Sequence, residues 1–300
     1  MTEIRPGVAV IVLNFNKREE LLACLASVGA LDYEPYQVVV VDNASGDGSA
    51  EAAAEAFPHY HLLRNETNLG APLGRNRGEA FVQAQLAADY LLFLDNDTTV
   101  DPDFLGHLSR ALSADPGAAI ACGKAYTAYP SNTIMSVGMV ANLTTGAVYD
   151  RGAGETDLGQ YDEAGPVDAC GGFGFLVRAE VFRALGGLDG SFTPYGWEEV
   201  DLCLRARCAG HRCIYVPEAV IYHKGGKIGR GPVEAYERHK ARNYITLIWR
   251  HTSPWQKLSC FIFVALKELV NISKLIFQGN FRIIGSHFKG LFEFLLQRRS

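Results

Sequence analysis

Residues 8–13 form an unbroken apolar run, VAVIVL, and the pattern recurs as QVVVVD at 37–42 and YLLFLD at 90–95. Continuous apolar strands of this length are buried on both faces, as in a parallel sheet covered by helices on each side. A shorter strand is expected at 60–63. Helical patterning falls between the strands, at 17–29, at 46–57 after a cluster of turn residues, and at 72–86. A further helix opens near Pro102, a residue suited to a first helical turn. From about 120 to 178 the pattern changes to short strands and Gly-rich turns, with 131–149 alternating as a hairpin does. A helix at 179–185 ends at Gly186-Gly187, and a helix at 198–209, a strand at 212–216 and a helix at 234–250 follow. The expected class is α/β, a Rossmann-like, mostly parallel central sheet with helices on both faces. In such sheets ligands sit beyond the carboxyl ends of the strands. Three polar clusters converge there: Asn14-Phe15-Asn16, Asp42-Asn43-Ala44-Ser45 and Asp95-Asn96-Asp97.

Composition narrows the class. With 300 residues, 48% hydrophobic and 20% charged, the chain can bury a sizeable core and is not disordered or fibrous. A formal net charge of −5 argues against a nucleic-acid partner. Residues 1–7 are polar and lead straight into a strand, so no secretory leader is expected, and no uninterrupted apolar stretch reaches the roughly eighteen residues of a membrane span. Seven cysteines without a CxxC pair point to a reducing, cytoplasmic setting. Cys203, Cys208, Cys213 and His211 match no zinc spacing, so buried thiols are expected. The chain lacks GxGxxG after strand one, a GxxxxGK[ST] loop, a GxSxG elbow and an HExxH helix, which sets aside the enzyme classes those motifs mark.

Asp95-Asn96-Asp97 is the sharpest chemical signal. Two carboxylates one residue apart, in a turn that ends a buried strand, suit Mg²⁺ or Mn²⁺, which take a few carboxylate oxygens and leave the rest to water and phosphate. Asp42 at its own strand end can accept hydrogen bonds from a base or ribose, or serve as a turn residue. Trp197-Glu198-Glu199-Val200-Asp201 places three acids in a first helical turn. They complement the helix dipole, and clustered acids also raise one another's pKa, so that one of them can act as a general base. His223 can ligate a metal, with Lys224, Lys227 and Arg230 facing phosphate oxygens.

Seven segments in this order, NFN (14–16), VDNASGDGS (41–49), NETNLGAPLGRNRG (65–78), DND (95–97), CGGFGFLVR (170–178), WEEVDLCLRARCAG (197–210) and YHKGG (222–226), resemble the family 2 glycosyltransferases, within them the rhamnosyltransferase-like group of bacterial polysaccharide synthesis. The resemblance spans roughly residues 8–251. It implies a GT-A fold and inverting transfer of a sugar, rhamnose being one candidate, from a dTDP- or UDP-linked donor to a saccharide or lipid-linked acceptor. It further implies that Asn14, Phe15, Asn16, Asp42, Asn43 and Ser45 hold the base, with Asn68, Gly70, Arg75 and Asn76 near the nucleotide. Asp95 and Asn96 lie near the ribose, Asp95, Asp97 and His223 bind the metal, and Lys224 meets the diphosphate. Gly171 and Gly172 border the donor sugar, and Trp197 stacks on a sugar face. Glu199 matches the catalytic base, the second acid of a Glu-Asp pair that reads Glu198-Glu199 here. Because of that extra methylene, Glu198 and Asp201 also stay open as bases or acceptor-side groups. A sugar-nucleotide-binding protein without turnover and a nucleotidyltransferase are the rival readings.

Residues 257–300 differ in kind. Seven basic residues stand against Glu268 and Glu293, a local net of 7 − 2 = +5, which leaves −5 − 5 = −10 for residues 1–256. Lys267, Asn271, Lys274 and Gln278 recur at helical spacing, and 281–296 is again apolar and basic. The expected division is a catalytic domain at 1–256 and a basic amphipathic tail at 257–300. The tail would contact an anionic membrane surface, placing the protein peripherally at the inner face of the cell membrane, or would pack on the domain or on a twin subunit in a homodimer.

Overall fold

The computed structural model describes residues 5–225, 233–260, 262–264 and 281–297. Its centre is a sheet of ten strands. The parallel part joins β1 (Val8–Asn14), β2 (Tyr36–Asp42), β3 (His61–Arg64) and β4 (Tyr90–Asp95), ordered 4-1-2-3. Successive residues of these strands feed opposite cores. Ile11, Val39, Val41, Leu91 and Phe93 enter one, and Val10, Val12, Val38, Val40, Leu92 and Leu94 enter the other. That two-sided burial is why the strands read as unbroken apolar runs.

Helices α1 (Arg18–Gly29), α2 (Ser49–Ala56), α3 (Gly70–Gln85) and α4 (Phe104–Ala114) connect or follow these strands. α3 approaches the sheet unusually closely. A Cβ on Gly74 would stand 2.6 Å from Leu13 Cδ1, and one on Gly78 2.6 Å from Ile11 Cγ2. The two glycines lie one turn apart on one face, so the helix accepts their propensity cost in return for a close approach to β1.

The sheet then becomes mixed. β11 (Gly174–Arg178) is antiparallel to both β4 and β6 (Ala118–Thr127). β6 runs parallel to β12 (Arg212–His223), and β10 (Gly165–Val167) closes that edge. β12 continues seven residues beyond the strand expected at 212–216. Pro217 cannot donate to a ladder, and the register shifts between Val216 and Val220 before pairing resumes. β5 (Thr98–Val100), absent from the sequence reading, pairs with this extension. The alternation at 131–149 is divided: β7 (Ile134–Ser136) joins β6, while β8 (Met139–Asn142) and β9 (Ala147–Asp150) form a separate hairpin.

α5 (Ala179–Ala184) and α6 (Glu198–Cys208) precede β12, and α7 (Val233–His251) follows it. Residues 254–260 are helical. α8 (Phe281–Gln297) packs on α7, where a Cβ on Gly290 would meet Arg238 O at 2.5 Å and the Trp249 and Phe294 rings lie 6.1 Å apart. No described helix is long and apolar enough to cross a membrane. The Lys267–Asn271–Lys274–Gln278 stripe lies outside the described residues. Six cysteines are buried and Cys208 alone is exposed.

Candidate active site

Parallel register brings the three strand ends together. Asn14 pairs with Asp42, and Leu13 with Asp95. Fully buried Asn14 is the hub. Its Nδ2 lies 2.8 Å from Asp42 Oδ1, 3.1 Å from Ser45 Oγ and 2.9 Å from Ser49 Oγ, and its Oδ1 accepts from Asn96 Nδ2 at 2.7 Å. Asp42 also accepts from the Ser45 amide at 3.1 Å. The Asn16 amide donates to Ser45 Oγ at 2.8 Å, and Asn16 Oδ1 accepts from the Gly46 amide at 3.0 Å. The NFN and DNAS segments are therefore cross-braced into one rim, beside half-buried Phe15.

Asn43 turns the other way. It accepts from Asn65 at 2.6 Å and donates to Gly70 O at 3.0 Å, fixing the start of α3. Asn68 Oδ1 accepts from the Gly70 amide at 2.8 Å. Gly70 has φ +79°, and a Cβ there would lie 2.7 Å from Pro194 O. Asn76 exchanges both amide bonds with the Leu188 backbone, at 2.7 and 2.9 Å. The side chains of Asn43 and Asn76 thus brace α3.

Asp95, Asp97 and His223 place one ligand atom each within 4.8 Å of one another. The β5–β12 ladder does this, pairing His223 with Thr98. His223 Nε2 lies 3.1 Å from Asp97 Oδ1, its Nδ1 lies 3.1 Å from Met135 Sδ, and its ring stacks on Phe173 with centroids 5.2 Å apart. Lys17, unremarked in the sequence, brings Nζ to 2.6 Å from Asp97 Oδ2. It reaches there because Asn16 and Lys17 both take left-handed backbone, φ 59° and 62°, a conformation non-glycine residues adopt at a cost and chiefly at functional sites. Burial alone would lift the Asp97 carboxyl. Bonds from His223 and Lys17 outweigh it and hold the group well below the usual carboxylate range. Two carboxylates and an imidazole are a donor set that fits Mg²⁺ or Mn²⁺, and an ammonium drawn against Asp97 marks the same demand for positive charge.

Arg75, 2% exposed, connects this triad to the acids of α6. Nη2 donates to Asp95 Oδ1 at 2.6 Å and to Gly172 O at 2.7 Å, and Nη1 to Glu198 Oε1 at 3.2 Å. Glu198 Oε2 is buried without a partner, and burial raises this carboxyl against the pull of Arg75. Glu199 is enclosed by protein but keeps part of its surface open. Burial, then the neighbouring Glu198, push its carboxyl up to about 8. A Cβ on Gly172 would stand 3.1 Å from Glu199 Cδ, whereas one on Gly171 would strike the Phe173 ring at 2.4 Å. Of the two glycines, Gly172 is the one that borders Glu199.

The remaining residues are placed as follows. Trp197, half-buried with φ 75°, opens α6; its Nε1 donates to Lys240 O at 3.2 Å, and Lys240 Nζ lies 5.3 Å from its ring centroid. Asp201 is fully buried among Arg205 at 2.7 Å, His251 at 2.8 Å and Arg250 at 3.2 Å, tying α6 to the end of α7. Lys224 donates its amide to Asp97 O at 3.0 Å, but its exposed ammonium meets Glu20 at 3.0 Å. Lys227 and Arg230 lie outside the described residues.

Known proteins share this architecture. The family model described as Glycosyl transferase family 2 matches residues 9–186. An N-acetylglucosaminyl-diphospho-decaprenol L-rhamnosyltransferase of Mycobacterium tuberculosis is 31% identical over 278 residues, covering 85% of this chain and 88% of that protein. Among solved structures, a mannosyltransferase from Pyrobaculum calidifontis in complex with GDP-Man and Mn²⁺ superposes with a TM-score of 0.61 at 17% identity, over 97% of this chain and 88% of that one. GalNAc-T7 with UDP, GalNAc and Mn²⁺ gives a TM-score of 0.65 at 17% identity, over 82% of this chain and 48% of that one. These likenesses are to GT-A folds.

Proposed function

The chain belongs to the family 2 glycosyltransferases, and from that premise we propose that it is an inverting, metal-dependent enzyme that moves a rhamnose-type sugar from a dTDP- or UDP-linked donor to a lipid-linked saccharide diphosphate. One observation carries this reading: Arg75 spans Asp95 and Glu198, joining the cation-binding triad to the helix turn that bears Glu199. Donor and base sites are thereby held in one rigid frame.

Asp95, Asp97 and His223 would hold the divalent ion, which would supply positive charge to the diphosphate leaving group. The braced rim of Asn14, Asn16, Asp42 and Ser45 receives the base and ribose. Glu199, only partly buried, takes in its carboxylate form the proton from the acceptor hydroxyl as that oxygen attacks the anomeric carbon opposite the leaving group. Glu198 stays ion-paired to Arg75 and positions its neighbour. Single displacement inverts the anomeric centre and requires no covalent nucleophile. The rhamnosyltransferase relative supports both the sugar and the diphospholipid acceptor.

Residues 1–256 would form the catalytic unit and 257–300 its membrane-contacting tail. The exposed side chains of Trp255, Leu258, Ile262, Phe263, Phe288 and Phe292, with Lys257 and Lys289 on the same helices, support contact with an anionic bilayer surface at the inner face of the cell membrane.

A thermal-shift panel of nucleoside diphosphates with and without Mn²⁺ tests the site, because a ligand that binds the native state raises Tm. A metal-dependent shift with dTDP or UDP is expected, along with release of nucleotide from the sugar donor. Shifts without turnover on any donor and acceptor would mark a binding protein instead.

A further inference from the structure

At the opposite end of β12 from His223, a cavity of 440 Å³ is lined by Arg151, Asp168, Arg207, His211 and Arg212, with Val167 in its apolar wall. Ten residues of extended chain separate Cys213, on that cavity, from His223, about 30 Å along the strand. The cavity is thus separate from the triad and the acids of α6.

Two of its arginines are already matched. Arg207 meets Asp168 at 2.8 Å, and Arg212 pairs with Asp115. Arg151 is not. Its guanidinium carbon sits 5.6 Å from the Tyr161 ring centroid and 5.4 Å from that of Tyr215. Its Nε is sealed from solvent with no acceptor. Both rings are themselves fixed, Tyr161 by its hydroxyl on Glu155 Oε1 at 3.1 Å and Tyr215 by its hydroxyl on Tyr161 O at 2.9 Å. Stacking on the ring faces holds the guanidinium in place while its two Nη groups keep their in-plane N–H donors, a rigid fork matched to a tetrahedral or planar oxyanion. Ordering it beforehand lowers the entropic cost of filling it.

We propose that this cavity binds a small phosphorylated molecule, its phosphate held at the Nη edge of the Arg151 guanidinium with Arg207 and His211 alongside. Arg151, Arg207 and Arg212 line the cavity against the single carboxylate of Asp168, an excess of positive charge that suits an anion, and guanidinium groups pair with phosphate through short, bidentate bonds. The volume falls in the range of small-ligand sites. The inference stands whatever sugar the protein transfers.

The test is a titration of the full chain, without divalent metal, with inorganic phosphate and with a hexose 1-phosphate, followed by ³¹P NMR and calorimetry. Wild type and Lys17→Met are expected to bind at one site with equal affinity, whereas Arg151→Met and Arg207→Ala weaken binding by about tenfold or more, the loss of a charge-assisted bond. Should Arg151→Met fail to fold by circular dichroism, Arg207→Ala decides, since its side chain is 42% exposed. No binding by wild type, or variants at either arginine that bind as wild type does, overturns the proposal. A loss confined to Lys17→Met assigns the anion to the triad and overturns it as well.

Discussion

Arg75 Nη1 donates to Glu198 Oε1 across 3.2 Å, joining residues 123 positions apart in sequence, both almost wholly buried. Removing one partner of such a pair strands a charge in a poor solvent. Arg75→Met leaves Glu198 and Asp95 without their shared cation. It is expected to cost about 3–5 kcal/mol in a urea melt, the range for breaking a buried ion pair. Arg75→Lys, with no planar fork to span both acids, recovers only part of this.

Glu199 sets a pH dependence. Its carboxyl stands at about 8 against an ordinary 4.5, so the folded protein binds a proton that the unfolded chain releases between those values. The stability of the neutral form is complete below 4.5 and declines as pH rises toward 8. Glu199→Gln, neutral throughout, should lose less stability than wild type over that interval in melts at fixed ionic strength. The base form grows over the same range, so kcat/KM for transfer should rise with pH along a limb centred near 8. Glu199→Gln should lose that limb and about 10²–10⁴-fold in rate while still binding nucleotide.

Gly172→Ala brings a methyl to 3.1 Å from Glu199 Cδ, a contact that moves the carboxyl by a few tenths of an ångström or more. Transfer should slow by about tenfold to a hundredfold, the usual penalty for displacing a reacting group. Tm and nucleotide affinity should stay near wild type. Equal kcat in the two proteins would show that Glu199 is not the proton acceptor.

Asp97→Asn keeps the shape of the triad and removes the carboxylate that His223 and Lys17 share. Manganese titration followed by electron paramagnetic resonance should show wild type holding one ion and the variant holding none at the same concentration. Chelation of the wild type should abolish turnover reversibly.

The apolar side chains at the carboxyl end give a separate expectation. Trp255 is 83% exposed and Phe292 61%. Replacing both with Ser should reduce sedimentation with phosphatidylglycerol vesicles without reducing turnover of a water-soluble acceptor. Neutral vesicles should recruit either protein weakly.

Much of this was legible in the residues because the relevant signals are local. Asp95 and Asp97 stand out in the sequence because they end a buried strand, and His223 because it lies in a segment of recognisable order; the structure brings the three side chains together. The two-sided strands announced themselves by composition alone. Lys17 was missed because its contact with Asp97 depends on two consecutive left-handed residues, which no hydropathy pattern encodes. The full length of β12 was missed because Pro217 interrupts the strand pattern while the ladder resumes beyond it. Asp201 read as one more acid in a helix start. Its three cationic partners come from α6 itself and from the end of α7, a tertiary pairing that helical spacing does not reveal.

One cysteine among seven reaches solvent, and it is Cys208, the last residue of the helix that begins with Glu198. A maleimide or nitroxide reagent therefore meets a single accessible sulfur in the unaltered chain. Attached there, about 15 Å from the helix start, a fluorophore or spin label would report movement of this helix as donor and acceptor arrive, with no residue substituted.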